Sequence, residues 1–217
     1  MMESGTEKQG ELAANAGSAE EPNVSTELER WLKAPGTKTI GNLLEVFEEK
    51  SFAILFVLLM GLPAIPAPTG GATHVFEVIT VLLALQLIVG RDEIWLPRRW
   101  KDKELSGERQ QKFLERLLGV IRWFEKFSKP RFRFLFDRRL TNIVFGVVIT
   151  GLAVAAFLAP PFSGLDTLPA LAAVIISLGV LLEDFVFVVV GLVIGAAGVL
   201  LEVILGKAAV DAISDLF

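Results

Sequence analysis

FAILFVLLMGLPAIPAPTGG, residues 52–71, decides the architecture. Phe52 to Leu62 is apolar on every side, as in a helix that is buried all round or faces lipid. At 1.5 Å per residue it reaches about 16 Å, half of the about 30 Å that a bilayer core requires. Gly61, Pro63, Pro66, Pro68, Gly70 and Gly71 then prevent the helix from continuing. The stretch nonetheless carries no charge. A second short apolar helix is predicted from about Val75 to Val89. A half-depth helix, a broken turn and a second short helix predict a re-entrant hairpin, whose irregular backbone must be shielded by protein or a water cavity. Two slightly short full spans, with the Pro/Gly turn at the far surface, fit the same residues.

The order recurs about 92 residues later, an offset read directly from the pattern of helices and breaks. Residues 140–158 are apolar, and Pro160, Pro161, Gly164 and Pro169 break them. A short helix from about Ala170 to Leu182 ends in Glu183-Asp184, much as the first ends in Arg91-Asp92-Glu93. The expectation is an all-α, polytopic membrane protein with two repeated broken hairpins, about 52–89 and 142–182. Packing the two breaks together would shield their unpaired backbone groups, and an inverted repeat would place the pseudo-two-fold axis in or near the membrane plane. A full span from Phe185 to Leu205 follows. Its Gly191, Gly195 and Gly198 are spaced for close helix packing.

Composition agrees. Of 217 residues, 53% are hydrophobic, above the roughly 45–50% of soluble domains. Charged residues are 21% but leave uncharged intervals at 51–76, 78–90, 140–165, 167–182 and 185–201. A soluble enzyme, a disordered chain and a fibrous chain are thereby excluded. There is no Cys, no Tyr and a single His. Disulfide scaffolds, thiolate metal sites and cysteine nucleophiles are ruled out. No nucleophile–base set, metal cluster or phosphate loop is legible, so neither catalysis nor a cofactor is expected.

Charge sets the orientation. Residues 91–139 hold fifteen of the 21 Lys and Arg against eight acids, a net of +7. Such a segment between apolar ones belongs in the cytoplasm, and its basic character is read as topology, not nucleic-acid binding. Trp95, Arg98, Arg99 and Trp100 suit headgroup-level anchors that contact membrane lipids. A helix capped by Ser106 and running to about Phe127 gathers Phe113, Leu117, Val120, Ile121, Phe124 and Phe127 on one face. It either lies on the membrane surface or packs that face on the membrane domain. Residues 1–23 read as a disordered tail without a signal peptide. Residues 24–50 read as short amphipathic helices, the first opened by a Thr26–Glu29 capping box and the second running from near Thr39 toward lipid. The membrane domain spans 51–217.

Several stretches together resemble the exopolysaccharide synthesis ExoD family of bacterial inner-membrane proteins. They are LALQLIVGRDEIWLPRRW (83–100), KPRF (129–132), PPFSGLDTLPALAAVIISLGVLLEDF (160–185) and GLVIGA (191–196). The resemblance covers about 40–205. Ile94, Asp166 and Phe185 depart from the family's usual Pro, Asn and Gly. The resemblance implies a multi-pass inner-membrane protein linked to exopolysaccharide production, with no catalytic residues to carry over.

Three ionisable residues lie at the breaks: His74, Glu77 and Asp166. Within an uncharged region such groups are candidates for a substrate or proton site. Their structural alternatives are a His bonded to a freed carbonyl and an Asp capping the helix that begins near Leu168. Glu183-Asp184 reads as a membrane boundary, and Glu202 as facing water or a partner helix. Two functions are consistent with this set. One is transport or translocation of an anionic lipid-linked substrate. The other is a non-catalytic scaffold or regulatory subunit, working as a homo-oligomer or with polysaccharide synthesis proteins.

Overall fold

A computed structural model describes residues 23–47, 50–66, 73–91, 93–129, 139–160 and 163–214. Pro68, Gly70, Gly71, Pro161 and residues 1–22 lie outside them. The described chain is helical, with an isolated antiparallel bridge between Thr39 and Glu104. The helices are α1 (Val24–Lys33), α2 (Ile40–Phe47), α3 (Ser51–Met60), α4 (His74–Ile88), α5 (Arg98–Lys101), α6 (Glu108–Phe127), α7 (Arg139–Leu158), α8 (Thr167–Leu181) and α9 (Phe185–Ser214).

Two of them, Arg139–Leu158 and Phe185–Ala208, are long and apolar enough to cross a membrane. A soluble core helix would be mostly buried, but only 33% and 17% of their apolar windows are enclosed by the protein. Val186, Val190, Val193 and Leu200 of α9 are among the apolar side chains left outside. Such a continuous apolar surface is costly in water and suited to lipid.

At the centre α3 packs on α8. Both are apolar all round and mostly buried, so their interface forms the core. Helix α4 packs on α7 and α3, and α8 also packs on α7 and α9. The glycines of α9 permit the last contact. An added Cβ at Gly191 would meet Ile176 Cγ1 at 2.5 Å, and one at Gly198 would meet Leu168 Cβ at 2.8 Å. At Gly195 the nearest atom is Leu152 Cδ2, at 2.7 Å. These three glycines thus serve packing within the chain.

The two helix–break–helix units point the same way. Lys50, before α3, pairs with Glu183, after α8, at 2.8 Å. Gly90, after α4, lies against the Arg139 guanidinium that opens α7. At the opposite end the His74 ring sits 5.2 Å from that of Phe157. Both bases are therefore at one end and both breaks at the other. The two units thus run in the same sense along the bundle, unlike the expected inverted arrangement. The number of turns, not the order of elements, determines orientation. The intervening segment contains the surface helix α6 and returns the chain to the same side.

Local corrections have local causes. Helix α1 starts at Val24 with Asn23 as N-cap, so Thr26 lies inside the first turn and the capping box does not form. α2 and α3 are separate, with the Ser51 hydroxyl donating to the Leu44 carbonyl across the break. Gly107, not Ser106, is the N-cap of α6. Pro169 lies in the first turn of α8, where a missing N–H costs nothing, and is not a turn residue. Gly61 closes α3 in right-handed conformation, Pro63 is buried beside it, Pro66 and Pro160 are exposed, and Gly164 takes φ +70° in the second break.

The remaining helices form a polar-faced layer. Leu114, Leu117, Leu118 and Ile121 of α6 are buried, and α6 packs on α1, with the Glu125 carboxylate accepting from the Ser25 N–H at 2.8 Å. The apolar stripe of α6 is therefore covered by protein, while Val120, Trp123 and Phe127 form a second, exposed edge. Trp95 and Trp100 are exposed beside Arg98 and Arg99. The Gln86 side chain holds the Trp95 backbone through N–H and carbonyl bonds of 2.8 and 3.2 Å.

Candidate functional site

The breaks bring ionisable side chains together because each break starts a helix with a polar residue in its first turn. His74 opens α4, and Glu77 lies one turn on. His74 Nδ1 and Glu77 Oε2 are 2.7 Å apart. Glu77 is fully buried, while the His74 side chain is a quarter exposed. The other carboxylate oxygen, Glu77 Oε1, is buried without a hydrogen-bond partner. The pair thus has a partly exposed imidazole at one end and a bare, buried oxygen at the other.

Asp166 stands at the start of α8. It occupies the N-cap position in right-handed conformation and makes no side-chain cap bond, so the capping role is corrected. Its carboxylate lies within electrostatic range of Glu77 and also of Glu202. Glu202 and Glu77 interact in the same way. Glu202 Oε1 is a second buried oxygen without a partner. Helix α9 runs antiparallel to α8, so the turn after Gly198 carries Glu202 to the second break.

His74, Glu77 and Asp166 are therefore grouped, and Glu202 joins them. Glu202 was legible as an acid inside an apolar span, where charge is expensive. Its place near the far end of that span left water and a partner helix both open, and the offset of α9 against α8 brings it toward the second break. Among the described residues no group of three His, Cys, Asp or Glu is placed to hold a metal. The side chains gathered here are of the kinds that carry protons in acid–base chemistry. The imidazole touches a carboxylate, and two bare carboxylate oxygens lie in a region where each further negative charge raises the cost of the others.

Glu183 and Asp184 lie at the opposite end. Asp184 is 1% exposed, and its carboxylate accepts from the Lys129 N–H and the Val186 N–H, both at 2.9 Å. Glu183 adopts φ +55°, unusual for a side chain of its kind, and pairs with Lys50.

An all-helical bundle with exposed apolar spans and buried carboxylates at paired breaks defines a membrane-associated class of protein. The chain belongs to the exopolysaccharide synthesis ExoD family, whose family model matches residues 24–204. Two relatives fit this. An uncharacterized protein of Synechocystis sp. is 31% identical over 181 residues, covering 83% of this chain and 81% of that protein. Protein ExoD of Rhizobium meliloti is 28% identical over 176 residues, covering 80% of this chain and 72% of that protein. No solved structure matches the chain. Membership implies a role in exopolysaccharide synthesis.

Proposed function

We propose that the chain is a multi-pass, non-catalytic protein of the bacterial inner membrane that moves an anionic lipid-linked substrate for exopolysaccharide synthesis. Proton exchange at His74 and Glu77 accompanies the movement. The observation that carries the reading is the pair of bare, buried oxygens on Glu77 and Glu202, gathered where both units are broken. Buried carboxylates without compensation cost stability and persist where function needs them.

In this reading the breaks are re-entrant. Helices α3 and α4 are 10 and 15 residues long, about 15 and 22 Å, short of a bilayer core of about 30 Å. The second break lies beside Gly198, only about 20 Å along α9 from Phe185, while the apolar stretch of α9 continues to Ala208. The basic segment 91–139 faces the cytoplasm.

A second reading, a scaffold or regulatory subunit, is favoured by the uncovered Val120, Trp123 and Phe127 edge of α6. That edge suits a partner protein or a second copy. The two are separated by His74→Ala combined with Asp166→Asn in cells whose exopolysaccharide depends on this chain. Transport predicts loss of polymer at unchanged membrane level, whereas a scaffold survives both changes. Orientation is tested with Ser106→Cys, which stays protected from an impermeant thiol reagent in intact cells. Labelling from outside would refute it.

A further inference from the structure

A groove of about 610 Å³ opens between α3, α4 and the segment from Leu96 to Arg116, and its lining includes none of His74, Glu77, Asp166 and Glu202. This volume is in the range of ligand pockets, about 300–1,000 Å³. Its walls follow from helical spacing. On α3 Leu55, Leu58 and Leu59 recur at i, i+3 and i+4, with Leu62 in the turn just beyond, and on α4 Phe76, Ile79 and Leu83 recur at i, i+3 and i+7. Two apolar stripes therefore face each other across a slot whose rim includes Leu62, 36% exposed, and Ile65, 49% exposed.

The mouth is cationic. Lys103, Arg109, Lys112 and Arg116 line it, against Glu104 as the acid of the lining. Lys112 is engaged by Glu108 at 2.7 Å. Arg109 and Arg116 are exposed and form no ion pair among the described residues. Trp100, an exposed ring on the short basic helix α5, also lines the mouth. An indole beside guanidinium groups is an arrangement suited to the lipid headgroup level.

We propose that this groove binds an anionic membrane lipid, its hydrocarbon chain between α3 and α4 and its phosphate on Arg109 and Arg116. The charge complementarity selects this occupant. An uncharged apolar partner would leave two guanidinium groups unused, and a free phosphate would leave the apolar slot empty. Guanidinium groups meet phosphate oxygens through charge-assisted, bidentate bonds. The site would act whether or not the buried carboxylates exchange protons, so it goes beyond the transport reading and does not depend on it.

The test uses the full chain, delipidated in detergent, with native mass spectrometry reading binding. Dioleoyl phosphatidic acid is compared with dioleoylglycerol, which has the same chains without phosphate, and with inorganic phosphate. The expected result is binding of phosphatidic acid at least about tenfold tighter than of dioleoylglycerol, a difference of about 1.4 kcal/mol, and none of phosphate alone. Arg109→Gln with Arg116→Gln should remove that preference, while Arg30→Gln with Lys126→Gln, an equal loss of two exposed charges outside the groove, should keep it. Leu62→Trp, which fills the slot from its exposed rim, should weaken phosphatidic acid about tenfold without touching a charge. Each variant is first matched to the parent by its melting temperature without lipid. Equal binding of the two lipids, or a preference that survives both the double Arg change and Leu62→Trp, would overturn the proposal.

Discussion

Glu77 and Asp184 are both carboxylates buried to 1% exposure or less, at opposite ends of the same bundle. Asp184 is satisfied by protein. Two backbone N–H groups reach it, one from the chain after α6 and one from the first turn of α9. It caps α9 and ties the basic segment to the base of the membrane helices. Glu77 has one side-chain partner, His74, and a bare oxygen, and it lies within electrostatic range of Asp166 and Glu202. Burial alone does not tell function from structure. The number of donors supplied to each oxygen does, because fixed N–H groups offset the cost of burying an acid and a bare oxygen has no such compensation.

The largest expected effect would break the comparison from the structural side. Asp184→Ala takes the acceptor from the N–H groups of Lys129 and Val186 in a part-buried place, at up to about 1–3 kcal/mol for each unsatisfied group. A marked fall in melting temperature in detergent is expected, and an unchanged melt would show that Asp184 is no better supported than Glu77. Next comes Gly191→Val, where the new side chain would meet Ile176 Cγ1 at 2.5 Å and its backbone N at 3.0 Å. Overpacking of this kind costs about 1–3 kcal/mol. It tests whether the α8–α9 contact that delivers Glu202 to the cluster is tight, and a melt within error of the parent would mean that α9 can slide.

A smaller effect is expected at the surface layer. Hydrogen bonding from Lys33, with Arg122 beside it, holds the Glu29 carboxyl below its ordinary range. A depressed folded-state pKa gives stability above the unfolded-state value, and that stability is lost as pH falls through the folded-state one. Arg122→Gln should therefore lower the melting temperature slightly at neutral pH and leave it unchanged in acid. Exposed pairs are weak, so the difference should shrink further in high salt. A difference that grows in acid would show that the stabilising charge is elsewhere.

Much of the bundle was legible because its signals are one-dimensional. Uncharged runs, Pro/Gly breaks and charged pairs located α4, α7 and α9 to within a residue or two at their starts, and the same breaks pointed to His74, Glu77 and Asp166. Orientation was not legible. Whether two similar units point the same way depends on how the segment between them returns, and the apolar faces of a hairpin are identical in either sense. Caps were misread for another reason. Thr26 and Ser106 have the right chemistry, but so do Asn23 and Gly107 beside them, and backbone geometry chooses between neighbours. Glu202 needed the stagger of α9 on α8, which rests on what meets Gly191 and Gly198 and has no counterpart in a local pattern.

The smallest effect on stability is expected at Glu77 itself, and it sharpens the comparison most. Glu77→Gln keeps the shape of the side chain and retains a polar atom facing His74 Nδ1, now 2.7 Å from Oε2. An amide can donate or accept there, whichever ring tautomer is present. The substitution removes the charge, and with it the desolvation of an ion that lacks a partner on one oxygen. An unsatisfied amide atom replaces it, which costs less than an unsatisfied charge. These terms nearly cancel, so the melting temperature should stay within about 1 kcal/mol of the parent or rise. Exopolysaccharide output should nonetheless fall, because an amide cannot take up and release a proton in the physiological range. A melt as damaged as that of Asp184→Ala would make Glu77 a structural acid like its counterpart, and full polymer output from a stable Glu77→Gln protein would remove proton exchange from the proposed function.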